Sequence, residues 1–162
     1  MERLALLLGR VAAAVFVAAA GVTVWEVAAR YLFGAPTSWA HETTTTLCAV
    51  GFTLGGAYAF ARNEHIRITA LADRMPPRAQ RALLALGLAL GAVYLGGLGY
   101  AAFGQAAESV WRFDATGWAP ELTPGPPHWP LPAIVRAALA FGTLLFLACV
   151  LQRLVAMLRG RA

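Results

Sequence analysis

The chain has 162 residues, of which 59% are hydrophobic and 13% charged, with a formal net charge of +5 and a mean hydropathy of +0.63. One domain fits this length, and a soluble domain could not cover its surface with so few polar groups, so the solvent is lipid. All 13 basic residues are arginines, gathered at the ends of apolar runs where anionic headgroups sit, which points away from nucleic acid as a partner.

Four runs are long enough to cross about 30 Å of hydrocarbon: Leu4 to Trp25, Thr43 to Ala61, Ala82 to Ala107 and Leu131 to Leu151. The expected fold is all-α, a single membrane domain over residues 1–162 with four transmembrane helices. Arg3 and Arg10 precede the Ala/Val part of the first run, as they would in a secretory signal. The run continues to Trp25 and three more spans follow it, so an uncleaved first helix beginning from Met1 is expected.

Near the outer end of the first helix, Glu26 and Arg30 stand four apart in the favourable order for a local ion pair, with a contact between subunits as the alternative. Trp39 and Glu42 open the second run, where a tryptophan suits the interface and a carboxylate suits the helix dipole. Thr43, Thr44, Thr45 and Thr46 follow; their hydroxyls can bond back to the preceding turn, which lipid tolerates and a protein neighbour rewards. Gly51 with Gly55, and Gly87 with Gly91, are four apart and permit close helix contact, either within the chain or against a partner.

Between the second and third runs lie Arg62, Arg67, Arg74, Arg78 and Arg81. Ile68, Leu71, Ala72 and Met75 fall there at helical spacing until Pro76 and Pro77, predicting a short helix in the membrane interface. With Arg3, Arg10, Arg153, Arg159 and Arg161, ten arginines mark one side; only Arg30, Arg112 and Arg136 mark the other. Both termini and the middle loop are therefore expected in the cytoplasm. All five tryptophans, Trp25, Trp39, Trp111, Trp118 and Trp129, fall on the arginine-poor side as an outer aromatic belt.

The outer connection, 108–130, holds Pro120, Pro124, Pro126, Pro127 and Pro130. That proline density predicts a stiff extended segment over the outer surface. Its tryptophans, Trp111, Trp118 and Trp129, are candidates for docking a protein from outside, because rigid aromatics give contact area at low entropy cost; an anchoring role in the lipid interface is the alternative.

No ionisable residue falls near the middle of a run, so no substrate or ion path of the chain's own is expected. His41 and His65 flank the second run about 36 Å apart along a helix, too far to share an iron atom, and His128 stands alone. Cys48 and Cys149 sit about 8 Å and about 27 Å deep, out of reach of each other. No cofactor, metal site or catalytic residue is expected, although a membrane-anchor subunit of a cytochrome b-like redox complex and a small stand-alone exporter remain as alternatives.

The stretches WEVAARYLFGAPTSWAHE, GFTLGGAYAFARNEHIRI, LADRMPPRAQR and PPHWPLPAIVRAALAFGTLLFLACVLQRL resemble the small permease subunit, DctQ-like, of tripartite ATP-independent periplasmic (TRAP) transporters. The resemblance implies structural or interface roles for Arg30, Trp39, Glu42, Gly55, Arg62, His65 and Ile66. The threonine run departs from the family pattern, which carries bulky or basic residues after the glutamate. Implied partners are a large DctM-like membrane subunit, which would carry an organic acid and sodium by an elevator movement, and a DctP-like periplasmic binding protein. The implied location is the bacterial inner membrane, with this chain as a fixed, non-catalytic scaffold subunit.

Overall fold

The computed structural model describes residues 2–62, 75–115, 117–125 and 127–159. His65, Ile66 and most of the expected interfacial helix lie outside the described residues. Four helices, α1 (Glu2–Leu32), α2 (Ser38–Ala61), α3 (Pro77–Val110) and α4 (Leu131–Leu158), are joined by connections at 33–37 and 62–76 and by the loop expected outside (the outer loop), which contains strands β1 (Phe113–Asp114) and β2 (Gly117–Trp118).

Each helix outlasts the apolar run that announced it. The run ends where hydrocarbon ends, whereas backbone hydrogen bonding continues into the headgroup region, where polar side chains can snorkel. At 34 residues, α3 is about 51 Å long. Leu7–Leu32, Pro77–Val110 and Leu131–Leu158 are each long and apolar enough to cross a membrane. The 24-residue α2 is more polar in its N-terminal third, where His41, Glu42 and the four threonines lie.

Local chemistry sets the ends. Past Leu32 the chain reverses through Gly34, whose φ of +62° lies in the left-handed region open to glycine. The Ala35 N–H then returns to the Ala29 carbonyl at 3.0 Å. Thr37, extended at φ −100° and ψ 122°, precedes α2. Pro77 occupies the first turn of α3, where a missing N–H costs nothing.

The packing order differs from the chain order. Among the described residues α1 packs only on α2, α2 also on α4, and α3 only on α4. The helices thus form an open row, α1–α2–α4–α3, rather than a closed bundle. Small residues allow the crossings: Ala12, Ala19, Ala40, Ala57, Ala102, Ala106 and Ala140 are buried. Phe60, Leu88, Leu95 and Val150 make an apolar cluster toward the other end. Without a hydrophobic drive in lipid, such close van der Waals contact is what holds helices together.

Two crossings depend on glycine. A Cβ on Gly142 would fall 2.2 Å from Thr53 Cγ2 and 3.0 Å from the Thr53 carbonyl oxygen, so α4 meets α2 backbone to backbone there. A Cβ on Gly51 would meet the Phe16 ring at 3.0 Å, on the α1 side. Of the glycines singled out by spacing, Gly55, Gly87 and Gly91 have nothing within 4 Å of that position. Contact within the chain therefore uses Gly51 and leaves those three open.

Candidate functional site

The polar chemistry concentrates at the end of the row that holds α1's last turns, the start of α2 and the outer loop. Glu26 accepts hydrogen bonds from Arg30 Nε at 3.1 Å and Nη2 at 2.6 Å, as its spacing suggested. Its other oxygen reaches across the connection, accepting from the Thr37 N–H at 3.0 Å and from the Thr37 hydroxyl. One carboxylate thus neutralises an arginine and fixes the residue that launches α2, satisfying donors that lipid could not.

A second clasp, invisible to spacing, ties the outer loop down. Arg136, in the second turn of α4, donates from Nη2 to Glu121 Oε1 at 3.1 Å and from Nη1 to Glu121 Oε2. The Ser109 hydroxyl, 1% exposed, donates to Glu121 Oε2 at 2.8 Å, and the Glu121 N–H returns to the Ser109 carbonyl at 2.9 Å. One loop residue thereby joins the end of α3 to the start of α4. A two-pronged guanidinium–carboxylate pair fixes orientation as well as charge.

The tryptophans divide into two groups. Trp118 lies opposite Phe113 in the hairpin, and its indole N–H donates to the Val110 carbonyl at 2.6 Å, capping an orphan acceptor at the end of α3. Trp118 nonetheless remains 63% exposed, Trp111 is 66% exposed and Trp129 is 40% exposed. Trp129 instead packs on Trp39 of α2, ring centroids 6.1 Å apart, and closes a turn in which its backbone N–H donates to Thr123 Oγ1 and its carbonyl accepts from the Thr123 N–H. The outer loop is therefore a hairpin followed by a stapled turn; its prolines begin at Pro120, beyond the paired strands.

Between α2 and α4, under Thr123 and Pro124, lies a cleft of about 420 Å³ whose wall includes His41, Glu42, Thr46, Leu131, Val135 and Arg136. A smaller cleft of about 200 Å³ between α1 and α2 touches Glu26, Arg30, His41 and Thr44. Because α2 starts at Ser38, Glu42 sits in its second turn; the first turn carries no acid, so the dipole account of Glu42 does not hold. The threonine run alternates: Thr43 and Thr45 donate to the carbonyls of Trp39 and His41, while Thr44 and Thr46 point one into each cleft. At the opposite end of the row, Arg62 lies over the Tyr58 ring and Arg153 over Phe60, both at 5.8 Å. Among the described residues no group of three His, Cys, Asp or Glu is placed to hold a metal ion.

An open row of long apolar helices, clasped at one end by paired carboxylates and arginines, defines a helical membrane protein whose faces are covered by lipid or by other protein. Residues 19–160 match the family described as tripartite ATP-independent periplasmic transporters, DctQ component, and the chain belongs to that family, as the small permease component of a TRAP transporter. It is 30% identical over 84 residues to the sialic acid TRAP transporter small permease protein SiaQ of Vibrio cholerae serotype O1, an alignment covering 49% of this chain and 47% of that protein. The chain thus spans about half the length of the curated relative it matches.

Proposed function

We propose that this chain is a fixed, non-catalytic subunit of a secondary, sodium-coupled importer of organic acids, C4-dicarboxylates or other carboxylates, and that it broadens the stationary scaffold of a larger membrane subunit. The observation that carries this reading is the open row. With α1 packed only on α2 and α3 only on α4 among the described residues, a wall one helix thick presents two uncovered faces. Phe52, Val93, Tyr94 and Tyr100 are all at least 70% exposed on it. A subunit in which another domain moves requires a neighbour that resists tilt, and long helices anchored at both interfaces supply that resistance. The relative's name specifies sialic acid; we extend to this chain only the class, an acid.

In this reading all four helices cross the bacterial inner membrane. The 24 residues of α2 reach about 36 Å, enough to span. Arg62, Arg78, Arg81, Arg153 and Arg159 lie at one set of helix ends and the tryptophans at the other, an asymmetry that supports the reading of both termini as cytoplasmic. The outer loop, braced by the Glu121 clasp and the Trp118 cap, offers Trp111, Trp118 and Trp129 to the periplasmic binding protein. Affinity purification of the tagged chain from its native membrane, followed by transport assays with and without it, tests the assignment. A stoichiometric many-helix partner whose transport collapses without this chain is the expected result; full transport by the partner alone would remove the scaffold role.

A further inference from the structure

Of the five carboxylates at this end of the row, Glu108 and Asp114 are exposed; of the other three, two are neutralised from within, Glu26 by Arg30 and Glu121 by Arg136. The third, Glu42, is half-buried and has no hydrogen-bond or ion-pair partner among the described residues. It faces a cleft whose far wall is Leu131, Pro132 and Val135. Arg136 borders the same cleft, but both of its terminal nitrogens are turned to Glu121. His41 and four threonine or arginine side chains share the cleft with Glu42, yet none of them pairs with its carboxylate, so closing the cleft over Glu42 without a further cation would be costly.

The cleft opens on the α2 side that carries, at helical spacing, His41, Thr45, Phe52 and Gly56. Phe52 is 72% exposed, and a Cβ on Gly56 would meet nothing within 4 Å. The same side is therefore open along the membrane as well as at its outer end. Thr46, with no partner among the described residues, brings a hydroxyl to the cleft beside Glu42.

We infer that this cleft is the socket for an arginine or lysine side chain of the large membrane subunit, with Glu42 as its counter-charge and the Phe52–Gly56 side of α2 as the surface beneath it. The inference rests on the reading of this chain as a transporter subunit and adds which face is covered and by what chemistry. Burying the bare carboxylate against a cation makes this contact selective for the correct partner, since a neutral or acidic group there would leave Glu42 desolvated and unpaired.

The test uses the full-length tagged chain co-expressed with the large membrane subunit of the same transporter. Glu42→Gln is expected to reduce the large subunit retained at low salt by about tenfold and Glu42→Arg to abolish retention, with each variant still monodisperse in detergent. A photo-crosslinking residue at Thr45, on the rim of the same cleft, is expected to capture the large subunit in otherwise unaltered protein. Equal retention by both variants, or no crosslink from Thr45 while the unaltered chain retains its partner, overturns the socket alone. If the unaltered chain retains no large subunit, the transporter-subunit reading falls and the socket falls with it.

Discussion

Glu121 and Arg136, fifteen residues apart in sequence, form the one two-pronged ion pair among the described residues that joins the outer loop to a membrane helix. The pair is about a third exposed, so its charge attraction alone is modest. Its larger effect is to give the buried Ser109 hydroxyl an acceptor.

Replacing Glu121 by alanine is expected to destabilise the folded protein by about 1–2 kcal/mol, because Arg136 and Ser109 lose their acceptor together. Thermal unfolding in detergent measures it. A double-mutant cycle with Arg136→Ala should return a coupling of about 1 kcal/mol, and an additive result would show that the pair is solvated.

Gly142 sets the closest helix crossing. An alanine there places its methyl inside the van der Waals envelope of Thr53 and forces α2 and α4 apart at a cost of about 1–3 kcal/mol. Gly91→Ala, where nothing lies within 4 Å, is expected to leave stability unchanged or raised. Parallel unfolding of the two variants in the same micelle checks the contrast.

Much of this was legible in the sequence because lipid enforces simple rules. The four helices follow from four apolar runs, the Glu26–Arg30 pair from four-residue spacing, and family membership from the motifs around Trp39 and in α4. The packing order was not legible, since the runs are apolar on every side and a helix without a polar face gives no hint of its neighbour. Nor was Gly142, which has no glycine partner four residues away. Glu121 was hidden by distance along the chain: nothing local pairs it with Arg136, although a carboxylate in an outer loop and an arginine one turn inside a span formed a usable signal. Thr37 likewise reads as an ordinary residue before a helix until Glu26 is seen to reach it.

The Glu26 clasp predicts that Thr37 controls the entry to α2. Thr37→Val removes the hydroxyl donor and keeps the shape and the backbone N–H. Amide exchange across 33–40 should accelerate, while 15–22, in mid-helix, stays protected. Unchanged exchange near Thr37 would show that the backbone N–H bond alone holds the connection.

The proposed topology predicts labelling. After replacement of Cys48 and Cys149 by serine, a cysteine at Ala115 in the hairpin turn should react with an impermeant maleimide from outside intact cells, and one at Arg159 only after the membrane is opened. Both positions are exposed in the structure, so accessibility depends on the side alone. The reverse pattern would invert the protein.

Trp118 can separate folding from the proposed docking, because the two would use different parts of the ring. The indole N–H caps Val110, while the exposed ring is the part that the proposed docking would use. Trp118→Phe removes only the cap, so the hairpin should loosen in amide exchange while affinity for the substrate-loaded binding protein falls less than about threefold. Trp118→Ala removes both, and with Trp129→Ala, which also strips the packing on Trp39, affinity should fall by about tenfold or more, as loss of an aromatic anchor does. If the double alanine variant binds as well as the unaltered chain, these rings belong to the lipid interface and the docking surface lies elsewhere on the subunit.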